Sequence, residues 1–513
     1  MKPTNLFYHK ELQWAAEAED LKPELHHKTI PARTIVIPVA DPAAWQGWKT
    51  AATAAPETVY GRKLPRSWEY VFDFGRLCVG YPVLEFEFTG LYDAPFRLEL
   101  KMAETPYELA RDFSTYCGTL GRGWLQEALL IEDVPRPHLR LERRYAFRYL
   151  KLKVTVNSSY KVALRSVSCD TVTAANWQRV TPLGSRYDQL DGAIHQTGLA
   201  TLAACMQETF EDGPKRDRRL WLGDLRLQAL ANYASFNNCA LVKRCLLMFA
   251  AAANSEGGIP GCVYPGSPRP LAGNFTFDYS VLFGDILLDY VQASGDEPTG
   301  RELFPVARRQ IELALREVRN GCYRFSGGYW LFIDWKDGLE RECAAHCLIR
   351  YALLRTMELA QRLGLESQME SLAAFAEPMR TAGNRQWFDN ASGYFVCGSS
   401  RQISWASQIW AAFAGMLPPT ETCALLKRTL GNAAAVPPGG PFLQNQMALV
   451  LQQYGLHDEA YRLTRSYWGK MVTLGADTFW EVFDPDNPML SPYGDPIVNS
   501  HCHAWSTPVF SYR

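Results

Sequence analysis

The first third of the chain alternates apolar and polar residues with a period of two. The runs WEYVFDFG, PVLEFEFTG, FRLELKMA and AFRYLKLKVTV each place apolar side chains at every second position over a strand-length segment. Glycine, proline and aspartate separate the runs, as is typical of β-strands joined by turns. The pattern predicts a β-sandwich over residues 1–175. Because a sandwich core alone explains the alternating aromatic residues, a supporting role is favoured over sugar binding.

From about residue 185 the hydrophobic period changes to that of a helix. Segments such as YDQLDGAIHQTGLATLAACMQ, YSVLFGDILLDYVQAS and CAAHCLIRYALLRTMELAQRLG repeat apolar residues every three or four positions. Ten or more helices of similar length predict paired helices that close into an α/α toroid over residues 176–513. No sequence repeat marks the pairs, so an irregular bundle or a solenoid is an alternative. The expected fold class is therefore multidomain, β followed by all-α.

The composition is that of a globular protein. The 513 residues are 47% hydrophobic and 21% charged, with a formal net charge of -1, which gives no support for binding to nucleic acid or to an anionic membrane. The start has no apolar stretch of signal-peptide length, and no apolar run of about 18 residues follows. These features predict a cytoplasmic protein without membrane association.

The sequence carries little support for a metal or a cofactor. Its 13 cysteines are scattered through the predicted strands and helices, which indicates reduced thiols. Cys343, His346 and Cys347 come nearest to a metal pattern, but no second ligand pair follows at zinc-like spacing, so a buried core position is favoured. Because nucleotide-binding glycine loops and a Gly-x-Ser-x-Gly elbow are also missing, we expect no metal and no cofactor.

Two loops combine carboxylates with tryptophan. They are residues 211–224, EDGPKRDRRLWLGD, and residues 477–484, DTFWEVFD. The first loop precedes a helix whose start tolerates acids, so helix capping with surface ion pairs explains it as well as a site does. In the second loop Glu481 lies between large aromatic residues, where partial burial would raise its pKa at a cost that stability alone rarely explains.

Paired carboxylates are the groups that glycoside hydrolysis requires. One carboxyl protonates the leaving oxygen, and one carboxylate activates water or attacks the sugar. Aromatic faces contact sugar C–H groups while polar side chains bind hydroxyls, so these loops suit a monosaccharide pocket. Further aromatic and polar loops occur at residues 274–279, 329–337 and 499–505. Their combination in one helical domain favours a site over unrelated capping and core roles.

With these motifs the chain resembles the α-L-rhamnosidases of glycoside hydrolase family 78. DGPKRDRRLWLGD is similar to the family's acid loop, TFWE to its general-base loop, IDW to its Gly-Asp-Trp sugar-binding loop and SHCHAW to its Asn-His-Tyr-Ala-Phe segment. The likeness covers roughly residues 185–510 in the same order. It implies a β-sandwich followed by an (α/α)6 barrel, and an inverting exo-glycosidase that releases terminal non-reducing α-L-rhamnose.

The resemblance also implies roles for individual residues. Asp217 would be the general acid, and Glu481 would be the base that activates water. The rhamnose pocket would be built by residues of the same loops: Asp212, Arg216, Trp221, Asp224, Asp278, Asp334, Trp335, Trp480 and His503. Inversion implies that the two catalytic carboxyls lie about 6.5–9.5 Å apart, with room for a water between them.

Two features depart from the family pattern. Many members have glutamate at the acid position, whereas this chain has Asp217, so Asp212 and Asp224 are alternatives for the acid. The chain also stops at Arg513, without the carboxy-terminal β-domain of larger relatives. The expectation is a compact member with a more open site, suited to small rhamnosides.

Other functions remain open. An unsaturated uronyl hydrolase, or another exo-glycosidase on an α/α toroid, would use Arg216, Arg218 or Arg219 to bind a uronic acid. A non-catalytic carbohydrate-binding protein would bind rhamnose without turnover. The expected partner is a small α-L-rhamnoside, and the aromatic content allows a homodimer.

Overall fold

A computed structural model describes residues 6–7, 10–63, 67–155, 159–185 and 187–508. The alternating segments of the first third form nine strands, as their period predicts. The strands are β1 (His26–Pro31), β2 (Thr34–Ala40), β3 (Trp48–Ala54), β4 (Ser67–Thr89), β5 (Phe96–Ala103), β6 (Glu127–Glu132), β7 (His138–Arg140), β8 (Tyr145–Thr155) and β9 (Lys161–Thr173). The prediction of a sheet-rich amino-terminal region is thus confirmed.

Strand β4 is central to this region because both of its halves pair with neighbouring strands. The main hydrogen-bonded order is β1-β9-β4-β8-β5-β6, and β2 and β7 also pair with β4. All of these pairings are antiparallel, and the register with β8 shifts between Asp73 and Cys78. The alternate residues Phe72, Phe74, Leu84 and Phe86 of β4 point into the region's buried apolar cluster.

Two helices in the amino-terminal part of the chain contact the region that follows residue 189. Helix α1 (Lys10–Asp20) packs against residues 239–251 of that region and buries Trp14 in the helical core. Helix α2 (Pro106–Ala110) begins after Thr105, whose hydroxyl accepts a hydrogen bond from the Glu108 N–H at 3.2 Å. The short α2 therefore holds Glu108 at the boundary between the two regions.

From residue 189 onward the chain is mainly helical, which confirms the second part of the predicted order. The helices are α3 (Gln189–Cys205), α4 (Leu222–Tyr233), α5 (Cys239–Ala251), α6 (Phe277–Val281), α7 (Phe283–Ser294), α8 (Glu297–Leu315), α9 (Glu342–Leu363), α10 (Glu370–Ala373), α11 (Ala376–Trp387), α12 (Trp405–Phe413), α13 (Pro419–Gly431), α14 (Pro441–Gln453) and α15 (His457–Thr473). Helix α3 starts at a capping box between Asp188 and Asp191, and α7 ends at Gly295 with φ 73°.

Short strands occur in the loops between the helices. They are β10 (Leu220–Trp221), β11 (Cys262–Tyr264), β12 (Leu271–Ala272), β13 (Val318–Arg319), β14 (Cys322–Tyr323), β15 (Phe388–Asp389), β16 (Tyr394–Cys397) and β17 (Gln402–Ile403). The pairing of β10 with β11 fixes the entry into α4. The long loops that follow α3 and α15 meet at one end of the helical region, since Asp212 O accepts a hydrogen bond from Ala504 N at 2.9 Å.

The structure also bears on the metal and membrane expectations. Within the described ranges, no group of three or more histidine, cysteine or acidic side chains is arranged to hold a metal ion. Cys343, His346 and Cys347 are fully buried on α9, and all thirteen cysteines are unpaired. No helix in the described part of the chain is long and apolar enough to cross a membrane.

Candidate active site

The acid-rich and aromatic loops of the helical region surround one cavity of about 240 Å³. A loop of the strand-rich region also reaches it. The cavity is lined by Leu120, Trp124, Asp212, Arg216, Asp217, Arg219, Trp221, Asp224, Asn274, Tyr279, Trp330, Phe332, Trp335, Glu481, Tyr493, His503 and Trp505. The fold thus brings together the two carboxylate loops that lie far apart in the sequence.

Glu481 is a buried carboxylate that the surrounding charges keep ionised. Its side chain pairs with Arg216, accepts a hydrogen bond from the Tyr493 hydroxyl, and lies 3.3 Å from the Ser500 N–H. Burial by itself raises the pKa of Glu481, but the charges of Arg216 and His503 and these hydrogen bonds outweigh it. The pKa of Glu481 is therefore held below its ordinary value, and the rise expected from its aromatic neighbours in the sequence is wrong. The side chain is a carboxylate able to accept a proton.

Asp217 lies on the other side of Arg216 from Glu481. Its carboxylate is 3.6 Å from one Arg216 nitrogen and 3.7 Å from Arg219, and its side chain is 17% exposed. The other terminal nitrogen of Arg216 pairs with Glu481. One planar guanidinium therefore bridges the two carboxylates and sets their relative position.

Asp212 holds the turn that presents Asp217. One of its carboxylate oxygens accepts a hydrogen bond from the Asp217 N–H at 2.9 Å, and the other accepts one from the Arg219 N–H at 3.0 Å. Burial, followed by repulsion from Asp217, raises the pKa of Asp212 to about 8. Both oxygens of Asp212 are thus engaged by the loop itself, whereas Asp217 is partly open to the cavity.

A buried histidine–aspartate pair lines the cavity. His503 Nε2 lies 3.0 Å from Asp224 Oδ1, and both side chains are almost completely buried. Burial by itself lowers the pKa of His503, but Asp224 and Glu481 outweigh it, so the pKa stands above its ordinary value. A protonated His503 adds positive charge beside Glu481 and so helps to keep that carboxylate ionised.

Aromatic rings form one wall of the cavity. Trp221 and Trp330 meet edge to face with ring centroids 6.0 Å apart, and Trp330 and Trp335 are separated by 6.1 Å. Tyr279 packs against Gly223, where an added Cβ would lie 2.2 Å from a ring carbon. Glycine is required at that position because the ring lies directly against the helix backbone. The wall offers flat apolar faces that suit sugar C–H groups.

Several polar atoms of the cavity-lining residues have no hydrogen-bond partner within the described parts of the protein. They are Trp335 Nε1, His503 Nδ1 and Arg219 Nε, and all are buried. An unsatisfied buried polar group costs about 1–3 kcal/mol, so these atoms favour an occupant that carries hydroxyl groups.

Comparison with known proteins places this arrangement in a family. The family model for the glycosyl hydrolase family 78 alpha-rhamnosidase N-terminal domain matches residues 32–171. The model for the bacterial alpha-L-rhamnosidase 6 hairpin glycosidase domain matches residues 188–512. The chain belongs to glycoside hydrolase family 78. It is therefore a glycoside hydrolase of the α-L-rhamnosidase family, as the motifs predicted.

Solved structures agree with this family 78 assignment. A rhamnosidase from Klebsiella oxytoca with rhamnose bound is 40% identical, and the match covers 96% of each chain with a TM-score of 0.91. The family 78 rhamnosidase of Bacillus sp. GL1 has 22% identity and a TM-score of 0.74, and the alpha-L-rhamnosidase of Streptomyces avermitilis has 16% and 0.65. This chain spans only 48% and 43% of those two longer chains, so they show the shared fold. A search of curated protein sequences found no match.

Three residues predicted for the family 78 pocket lie outside the cavity lining: Asp278, Asp334 and Trp480. The Asp278 carboxylate accepts hydrogen bonds from the N–H groups of Phe332 and Ile333 at 3.0 and 2.8 Å. Ile333 has φ 55°, a strained conformation for a β-branched residue, and Asp278 holds it. Asp278 therefore shapes the loop that presents Trp335.

Asp334 and Trp480 face away from the cavity in different directions. Asp334 accepts a hydrogen bond from the Gly439 N–H at 2.6 Å and is buried, and burial raises its pKa to about 7. Trp480 packs against Trp45 of the strand-rich region, with ring centroids 5.0 Å apart. Its neighbour Glu481 lines the family 78 cavity, so the two side chains lie on opposite sides of the loop.

Other cavity residues were not among the predicted site residues. Asn274, Tyr279, Trp330, Phe332 and Trp505 lie in loops whose composition was already informative, and Arg219 lies in the acid loop. The remaining three, Leu120, Trp124 and Tyr493, lie in irregular segments without a local signal. Only the meeting of distant segments brings them to the site.

A buried lysine ties the acid loop to the strand-rich region. Lys215 Nζ lies 2.8 Å from Glu108 and 3.6 Å from Glu104, and it donates to the carbonyls of Ile497 and Asn499. All three charged side chains are at most 1% exposed. Since Lys215 directly precedes Arg216, the strand-rich region helps to position the guanidinium that bridges the two carboxylates.

We expect Glu108→Gln to lower the free energy of unfolding by about 3 kcal/mol, because it removes the closest counter-charge of a buried lysine. The matched control is Glu297→Gln, which breaks the exposed pair with Arg301 and should cost less than about 1 kcal/mol. Urea denaturation of the full chain measures both values. Equal losses in the two variants would show that the buried pair contributes no more than a surface pair.

Proposed function

We propose that this family 78 chain removes terminal non-reducing α-L-rhamnose from small rhamnosides with inversion at the anomeric carbon. The observation that carries the proposal is the single cavity in which Arg216 bridges Asp217 and an ionised Glu481 beside a wall of tryptophans. The 40% identical rhamnosidase with rhamnose bound supports the choice of sugar.

In this mechanism Asp217 donates a proton to the glycosidic oxygen as the bond from that oxygen to the anomeric carbon breaks. Glu481 accepts a proton from a water molecule, whose oxygen attacks the anomeric carbon from the opposite face. The products are the free alcohol and β-L-rhamnose. Arg216 maintains the spacing of the two carboxylates, and its charge keeps Glu481 in the form that accepts the proton.

The remaining cavity residues bind the sugar. The rings of Trp221 and Trp335 supply apolar contact for the C–H groups and the methyl group of the deoxy sugar. The Asp224–His503 pair and the Trp335 N–H offer hydrogen bonds to hydroxyl groups. Asp212 acts through the backbone of the acid loop, and Asp278 and Asp334 act through the loop that carries Trp335.

We also propose that the strand-rich region, residues 1–175, is a β-sandwich and that residues 176–513 form an (α/α)6 barrel. The contact between α3 and α15, the first and last long helices, supports a closed ring. Further support comes from the successive contacts of α4, α7, α9, α12 and α14, as expected if each helix pair contributes one helix to an inner ring.

An unsaturated uronyl hydrolase is the second candidate. Arg219 lines the cavity, and its Nε has no partner within the described ranges, so it could meet a uronate carboxylate. The wall of tryptophans and the 40% identical rhamnosidase with rhamnose bound favour the neutral deoxy sugar.

Proton NMR of the protein acting on p-nitrophenyl α-L-rhamnoside tests the proposal. We expect β-L-rhamnose to appear first and to equilibrate later with the α anomer. Initial α-L-rhamnose would mean a retaining mechanism and would overturn the role of Glu481 as base. Turnover of an unsaturated uronide, with none of the rhamnoside, would replace the proposed substrate by the second candidate.

A further inference from the structure

A second cavity lies where the strand-rich and helical regions meet. It is next to residues 477–484, the base loop that carries Glu481. Its volume is about 350 Å³, which falls in the range of small-molecule sites. One wall is the segment that precedes Glu481 and includes Asp477, Thr478 and Trp480. Another is the segment of residues 43–50, which runs into the start of β3. The cavity is therefore distinct from the catalytic cavity and shares the base loop with it.

The walls of this interface cavity combine aromatic faces with polar groups. Trp45, Trp48, Tyr149 and Trp480 supply the rings. Glu104, Gln46 and His501 supply buried polar groups, and each of these three side chains is more than nine-tenths buried. Aromatic faces beside hydrogen-bonding groups are the combination that binds sugars.

Four polar atoms on these walls have no hydrogen-bond partner within the described residues. They are Trp45 Nε1, Gln46 Oε1, Glu104 Oε1 and His501 Nδ1. The first is a donor, the next two are acceptors, and burial lowers the pKa of His501 to about 3, which leaves a neutral ring. Because a hydroxyl group both donates and accepts, several adjacent hydroxyls would satisfy all four atoms.

Each charged group of the cavity faces an opposite charge of the protein. Lys49 pairs with Asp41 at 2.8 Å, and Arg148 contacts Asp73 at 3.0 Å and Asp477 at 3.6 Å. Glu104 faces the buried Lys215 at 3.6 Å. Arg148 and Lys215 each face two carboxylates, so the excess of acids disfavours an anionic ligand. The aromatic rings and the unpartnered atoms favour a neutral sugar over a cation.

We propose that the interface cavity is a second binding site for a neutral, monosaccharide-sized sugar. The sugar ring would lie against Trp480 and Trp45 and bond through its hydroxyls to the unpartnered atoms. The site does not depend on the proposed hydrolysis, because its residues take no part in the reaction. Occupancy would stabilise the boundary between the two regions and the base loop that forms part of it.

The test measures binding of L-rhamnose, D-glucose and D-glucuronate to the full chain by calorimetry and saturation-transfer NMR. His503→Ala weakens sugar binding in the catalytic cavity, and Ala44→Trp fills the interface cavity with a larger side chain. Binding at the two sites can therefore be measured separately. We expect at least one of the two neutral sugars to bind to His503→Ala protein and to raise its thermal midpoint. This binding should be lost when Ala44→Trp is added to the His503→Ala protein.

Trp45→Phe keeps the ring but removes the Nε1 donor, and it should weaken this binding about 3- to 10-fold. Trp177→Phe is the matched control at an exposed tryptophan and should leave binding unchanged. The conservative Trp45 change keeps the proposal testable if Ala44→Trp does not fold. The proposal is overturned if neither neutral sugar binds in a Trp45-dependent manner, or if D-glucuronate binds as tightly as they do.

Discussion

We expect replacement of Glu481 by glutamine to lower kcat for α-L-rhamnosides by about 10²–10⁴-fold, the range for loss of a general base. The amide cannot accept the proton of the attacking water, although it still fits between Arg216 and Tyr493. The loss should be similar for an aryl and an alkyl rhamnoside, because activation of water is needed for both. Steady-state kinetics on p-nitrophenyl and methyl α-L-rhamnoside measure it.

The control for this variant must separate chemistry from folding, because Glu481→Gln leaves the buried Arg216 with one counter-charge fewer. Thermal unfolding and rhamnose binding of the variant show whether the site is intact. The exposed Glu297→Gln variant should retain full activity. A folded Glu481→Gln protein with only a mild loss would remove Glu481 from the role of base.

Replacing Asp217 by asparagine should separate substrates by their leaving groups. We expect a loss of about 10²–10⁴-fold on methyl α-L-rhamnoside, whose alkoxide must be protonated as it departs. The loss on p-nitrophenyl α-L-rhamnoside should be much smaller, because nitrophenolate leaves without a proton. The ratio of kcat/KM for the two substrates, measured for the variant and for the parent protein, gives the result.

The same comparison distinguishes Asp217 from the two other acids that the sequence left open. Asp212→Asn removes an acceptor for two backbone N–H groups, and Asp224→Asn removes the partner of His503. We expect both changes to reduce activity on the two substrates to the same extent, because they disturb the loop or the sugar contacts. A leaving-group dependence confined to Asp212→Asn or Asp224→Asn would transfer the acid role to that residue.

Much of the fold was predictable because its signals are local. The segments that become β4, β5 and β8 have a hydrophobic period of two, and those that become α3, α7 and α9 have a period of 3.6. These periods predict the strands and the helices directly. Motif order also identified the family and the loops that carry Asp217 and Glu481. The residues of the acid loop, residues 212–224, reach the cavity as a group because short turns and the start of α4 hold them together.

The direction of individual side chains was decided only by the tertiary structure. In an irregular loop no period assigns neighbours to one side, so the sequence placed Trp480 in the pocket beside Glu481, whereas the fold turns it toward Trp45. Asp278 likewise bonds to the backbone of Ile333 instead of lining the cavity. Both side chains contact neighbouring loops, and local composition does not distinguish that position from one in the cavity lining.

The sequence by itself determined the order of a sheet-rich and a helical region, the family, and the two carboxylate loops. Only the tertiary structure decided which charges surround those carboxylates. Arg216 lowers the pKa of Glu481 because folding brings together two loops that lie far apart in the sequence of the helical region. Tyr493 and Trp124 likewise reach the site from segments distant in the sequence. Electrostatic energy and burial depend on distances in space. The segments that these distances join lie far apart in the sequence, and no local pattern in one segment predicts its contact with the other.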